Sequence, residues 1–148
     1  KAPVVYAGDA PAFPIGGSRE LLPGTGVTIL AHGLLVAEAI RAAETLEAEG
    51  VSARVIDMYS IKPLDRAAIE RAARETGAIV VAEEHLTDGG LGVRVAQVVS
   101  ETTPCVMEYV GIRDTYAESA TPEELLDKYG LLARDVAQAA RKAIARKK

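Results

Sequence analysis

The chain has 148 residues, enough for one domain with a real core; 49% are hydrophobic but only 4% aromatic, so Ala, Val, Leu and Ile must fill the interior. A net charge of −4 argues against nucleic acid or an anionic membrane as partner. The single cysteine, Cys105, excludes a disulfide framework or a thiolate metal site.

Residues 1–26 hold four of the seven prolines and five glycines, which reads as an interdomain linker with a short edge-strand candidate at 18–22. From residue 27 the pattern changes, and 27–148 reads as one α/β domain. The VTILA run at 27–31 predicts a strand. A helix over 34–49 follows, with Leu35, Ala39, Ala42 and Leu46 inward, Glu38, Arg41, Glu44 and Glu47 on the wet face, and Gly50 as its stop. ARVIDM at 53–58 is the next strand. Asp65 is a good N-cap for a helix ended by Gly77, with Leu64 and Ile69 spaced as a hydrophobic staple.

The AIVVA run at 78–82 is apolar without alternation, as in a strand buried on both faces. It ends in Glu83-Glu84-His85, and Gly89-Gly90-Leu91-Gly92 then opens a helix reaching about Glu101. CVMEYV at 105–110 is the last strand. Thr121, Pro122 and Glu124 make a capping box for a short helix stopped by Gly130, and a final helix spans 133–146. No apolar run reaches membrane-spanning length and no signal sequence opens the chain, so a reduced, cytoplasmic protein is expected.

Alternating strands and helices raise dinucleotide binding first. Asp57 stands where a ribose-binding acid belongs, but the first strand-to-helix turn, Ala31-His32-Gly33-Leu34, has one glycine of the three that a pyrophosphate loop needs. His32 and His85 each follow a strand, beside Glu83 or Glu84, yet no Ser or Cys nucleophile in a triad-like context accompanies them. A structural part for His85, at a contact with another domain or subunit, is the favoured reading. The glycines at 89–92 suit close helix–sheet packing more than a phosphate cradle, although free N–H groups at Gly90 are also a candidate anion contact.

Several stretches, in order, resemble the C-terminal domain of the transketolase family: FPIG at 13–16, DMYSIKPLD at 57–65, AEEHLTDGGLG at 82–92, VGIRDTYAESA at 110–120 and LLDKYGL at 125–131. The set is most similar to transketolases, including those split into two polypeptides. Deoxyxylulose-phosphate synthases and 2-oxo acid dehydrogenase beta subunits share the domain, in the latter as a docking or ligand-binding module. The resemblance implies an α/β fold of three α/β/α layers on a five-stranded mixed sheet, mostly parallel, whose antiparallel edge strand lies near 18–22.

It also implies an enzyme that moves a two-carbon ketol unit between sugar phosphates with thiamine diphosphate and Mg²⁺. In the family those are held by upstream pyrimidine- and diphosphate-binding domains or a separate subunit, and no Gly-Asp-Gly occurs in this chain. No catalytic, cofactor or metal residue is therefore assigned, and the isolated chain is expected to lack activity. The expected part is to support the enzyme and its homodimer. The strand-end residues Tyr59, Glu84, His85, Leu86, Arg113 and Tyr116 are the candidate interface, with Ile61 beside them.

Overall fold

The structure, a computed structural model, describes residues 3–6, 8 and 11–147. Parts of the expected linker (Lys1, Ala2, Ala7, Asp9 and Ala10) and the terminal Lys148 lie outside these. Ten elements follow one another: β1 (Arg19–Leu22), β2 (Val27–Ala31), α1 (Leu35–Ala48), β3 (Ala53–Asp57), α2 (Arg66–Thr76), β4 (Ala78–Leu86), α3 (Leu91–Glu101), β5 (Val106–Ile112), α4 (Pro122–Lys128) and α5 (Ala133–Ala145).

One sheet runs in the order β1-β3-β2-β4-β5. β1 pairs antiparallel with β3 and the other pairings are parallel, which is the mixed sheet expected from the resemblance. Because successive side chains of a strand face opposite ways, β2 feeds two cores. Val27, Ile29 and Ala31 meet Leu35, Ala39 and Leu46 of α1 and Val136 and Ala140 of α5. Leu30 joins Ile69 of α2 and Leu91, Val95 and Val98 of α3 on the other face. Thr28, also on that face, is buried with its hydroxyl 2.9 Å from that of Thr76.

The helix ends follow the local chemistry. Asp65 accepts from the Ala68 N–H at 3.0 Å, and Thr121 and Glu124 form the reciprocal capping box. Gly77 is left-handed and closes α2.

Three sequence expectations change. Glu38 is not on a wet face: it is buried, and its Oε2 accepts from the Ala133 N–H at 2.8 Å, because α5 returns across α1 and sets its uncapped N-terminus on that carboxylate. β4 does not stop at Ala82 but continues, through a register shift, until Leu86 pairs with Ile112. The Thr87 N–H donates to the Ile112 carbonyl at 2.9 Å just beyond it. Cys105 precedes β5 and is half-buried, not within the strand.

Candidate functional site

In the order β3-β2-β4 the chain leaves β2 toward one side and returns on the other. The crevice at the carboxyl ends of β2 and β4 is thus the topological switch point, where open α/β sheets place ligands. His32 follows β2, Asp57 ends β3, and Glu83 lies in β4. A neighbouring cleft of about 330 Å³, at the carboxyl ends of β2 and β3, is lined by Val5, Tyr6, His32, Gly33, Val36, Asp57 and Tyr59.

Glu83 is the best-held group in the crevice. It is 2% exposed, and its two oxygens accept from the Leu91 and Gly92 N–H groups at 2.7 and 2.9 Å. The His32 Nε2 stands 3.8 Å from Glu83 Oε2. Burial pushes the Glu83 carboxyl up, but His32 and the two backbone donors outweigh it and hold it below the ordinary glutamate value. The N-terminus of α3 is thus already occupied by an anion from the neighbouring strand.

The two glycines exist for this contact. A Cβ on Gly90 would lie 2.3 Å from Glu83 Oε2, and one on Gly92 would lie 2.6 Å from the Tyr109 ring. Gly90 as an external anion contact is therefore corrected: its buried backbone packs on the carboxylate that fills that place.

Asp57 is 6% exposed, and the Tyr6 hydroxyl donates to its Oδ2 at 2.7 Å. Burial pushes the Asp57 carboxyl up, and Tyr6 and His32 only partly pull it back. Burial and the adjoining carboxylate raise the Tyr6 phenol. With Glu83 on α3 and Asp57 on Tyr6, the crevice does not fit a Mg²⁺–diphosphate: one helix terminus that would receive phosphate is filled and the second-strand acid is already bonded. Among the described residues no group of three His, Cys, Asp or Glu side chains is placed to hold a metal ion.

The continued ends of β4 and β5 carry a second feature. Their pairing runs on to Leu86 and Ile112, and Glu84, His85 and Leu86 are exposed on this extension. Residues 113–120 follow it and are exposed throughout, with Tyr116 99% exposed and Leu86 39%. The loop is tied back by Tyr129, whose hydroxyl accepts from the Glu118 N–H at 2.9 Å.

Residues 16–136 match the family model described as transketolase, C-terminal domain. The chain belongs to the transketolase C-terminal domain family. It is 40% identical over 135 residues to a 6-deoxy-6-sulfo-D-fructose transketolase subunit of Clostridium sp. (strain MSTE9), covering 91% of this chain and 42% of that protein. It is 42% identical over 129 residues to a 1-deoxy-D-xylulose-5-phosphate synthase of Heliobacterium modesticaldum, covering 86% of this chain and 20% of the synthase. A solved structure described as a split gene transketolase, inactive beta4 tetramer, superposes with a TM-score of 0.95 at 49% identity, covering 99% of this chain and 48% of that one. The chain therefore spans less than half the length of these relatives.

As a transketolase C-terminal domain, the chain divides its sequence-predicted residues in two. Glu84, His85, Leu86, Arg113 and Tyr116 are all exposed. His85 Nδ1 lies 2.9 Å from the Leu86 carbonyl oxygen, and its contact is with its own strand. Tyr59 and Ile61 have places inside the fold after all. Tyr59 stands edge-on to Phe13 at 4.9 Å, and Ile61 packs against the core under α2 and α3.

Glu83, Asp57 and Tyr6 were not assigned site roles from sequence. Asp57 and Glu83 each offered a signal by standing at the end of a strand, Glu83 also by its place beside a histidine, and Tyr6 offered none.

Proposed function

We propose that this transketolase C-terminal domain supports and dimerises a thiamine-diphosphate enzyme that transfers a two-carbon ketol unit between sugar phosphates. The diphosphate, the Mg²⁺ and the chemistry belong to pyrimidine- and diphosphate-binding domains or to a partner subunit, in the cytoplasm. The observation that carries the reading is the exposed extension of β4 and β5. It presents Leu86 and Tyr116 together with Glu84, His85 and Arg113, a mixed apolar and charged surface typical of a polar-rimmed interface. A second copy across a two-fold axis is the partner proposed for this patch, which carries both an acid, Glu84, and a base, Arg113.

The test is sedimentation of the complete enzyme carrying Leu86→Asp with Tyr116→Asp. Both side chains are exposed, so the fold tolerates the change and the association constant reports the interface. Dimer association at least ~10-fold weaker is expected, corresponding to about 1.4 kcal/mol. A double variant with the unaltered dimer constant refutes the placement.

The synthase relative, 42% identical, favours a second reading in which the same domain serves a deoxyxylulose-phosphate synthase. Assay of the complete enzyme separates the two: ketol transfer between sugar phosphates supports the first, and formation of 1-deoxy-D-xylulose 5-phosphate supports the second.

A further inference from the structure

The sheet has two edges, and they are finished differently. β1 is four residues long and runs into Pro23, which has no N–H to offer a further strand. β5 is seven residues long, and among the described residues no strand pairs with its outer side. The Arg146 guanidinium donates to the Met107 carbonyl at 3.1 Å, whereas the Ile112 carbonyl accepts from Thr87 on the β4 side. Backbone groups alternate in direction along a strand, so the N–H and C=O of Tyr109 face outward with those of Met107. Two adjoining clefts of about 560 and 720 Å³ follow this edge and share Pro104, Cys105, Met107 and Arg146. Each is lined from both faces of the sheet, by Val99 of α3 or Ala73 of α2 on one and by Arg146 after α5 on the other. One cleft can touch both faces only around an uncovered edge.

Charge decides what fits there. Among the described residues, four cations line the two clefts, Arg113, Lys142, Arg146 and Lys147, against one acid, Glu108. Glu108 is buried and holds Lys142 and Arg146 at once, so its single charge leaves the edge basic, on a chain whose net charge is −4. The α3 side of the cleft is uncharged, with Ala96, Val99 and Ser100. We propose that the β5 edge accepts an acidic, extended segment of a partner protein as a sixth strand. Side chains of an added strand alternate between the two faces, so the fitting segment has an acid at every second position, toward α5, and small apolar residues between them, toward α3. Tyr109 supplies free backbone groups, and the half-exposed Arg146 turns from the Met107 carbonyl to an incoming carboxylate. A second copy of β5 does not fit, because edge-to-edge pairing sets the same cations against one another. Lys142, Arg146 and Lys147 lie off the β4–β5 extension, so this surface is separate from the proposed dimer contact.

The probe is a fluorescent peptide of β5's length that alternates Glu and Val, titrated into the complete protein and followed by anisotropy and by amide exchange. Two controls accompany it: the same peptide with Lys for Glu, and one of equal negative charge with proline for valine, which cannot pair as a strand. The Glu–Val peptide is expected to bind at least ~10-fold more tightly than either control and to slow amide exchange across 105–112. Lys142→Gln with Lys147→Gln leaves Arg146 on Glu108, so the fold is kept, and should weaken binding about tenfold. Lys62→Gln, an exposed cation beyond β3, should leave it unaltered. No binding of the Glu–Val peptide overturns the proposal, as does equal binding of the proline or Lys peptide. Unchanged exchange across 105–112 in the complex, or equal weakening by Lys62→Gln, also overturns it. Protection of 105–112 that rises with protein concentration alone would make a second copy the occupant and overturn it as well.

Discussion

Replacing Glu83 by Gln tests whether the crevice is a built cap or an open site. The carboxylate accepts two backbone N–H groups of α3, at 2.7 and 2.9 Å, and is 2% exposed. Hydrogen bonds to a charged group contribute roughly 1.5–3 kcal/mol each in net terms. Glutamine retains one carbonyl oxygen for one of the donors and turns its amide nitrogen toward the other. The expected loss is therefore about 2–4 kcal/mol, against a typical total stability of about 5–15 kcal/mol, so the variant stays folded. Urea titration at pH 7 measures it.

The pH dependence supplies an independent arm. The folded carboxyl titrates below an unfolded glutamate, so its stabilising contribution is complete above the unfolded value of about 4.3 and is lost as pH falls through the lower, folded value. The gap between wild type and Glu83→Gln should therefore narrow below that pH. Gly90→Ala attacks the same contact from the other side, since its Cβ must displace Glu83 Oε2 from 2.3 Å. The two substitutions combined should cost less than their sum. A Glu83→Gln loss under about 0.5 kcal/mol, with no narrowing on acidification, refutes the argument.

Two other buried glutamates carry smaller expectations. Glu38→Gln weakens the cap on α5, where Oε2 receives the Ala133 N–H at 2.8 Å, and should cost roughly 1–2 kcal/mol by urea titration. Glu108 lies between Lys142 and Arg146; burial pushes its carboxyl up, and the two cations outweigh that and hold it below the ordinary value. Glu108→Gln should cost roughly 1–2 kcal/mol at pH 7, less than a fully buried pair because both cations reach solvent. That cost should shrink as pH falls below an unfolded glutamate's value of about 4.3.

Local punctuation made most of the fold legible. The stop at Gly77, the Asp65 cap and the Thr121–Glu124 box depend on residues within a turn of one another, and each element appears where they put it. The apolar run at 78–82 also read correctly as a strand buried on both faces. Other features depend on residues far apart in the chain. Glu38 sits among polar residues on its own helix and is buried only because a segment 95 positions later returns over it. Tyr6 and Asp57 are 51 positions apart, and nothing local in a proline- and glycine-rich stretch announces that it is docked. The continuation of β4 past Ala82 depends on β5 offering Ile112 as a partner, a pairing invisible in the charged Glu83-Glu84-His85 run.

The same run explains why a strand-end motif can resemble a ligand site without leaving room for one. An acid, a histidine and a glycine-rich helix start are what a phosphate or proton-transfer site uses. Here the first acid turns back and satisfies the helix start itself, and the glycines are small because the carboxylate and the Tyr109 ring need the space. The histidine and second acid then point away from the crevice contact, onto the exposed extension of β4. One tripeptide therefore has two environments: Glu83 fixes α3 to the sheet, while Glu84 and His85 are exposed. This division follows from cover: the start of α3 packs on Glu83, whereas Glu84 and His85 lie on the exposed extension beyond it. It also separates the two kinds of damage: substitution at Glu83 should be read in stability, and substitution on the exposed extension in association.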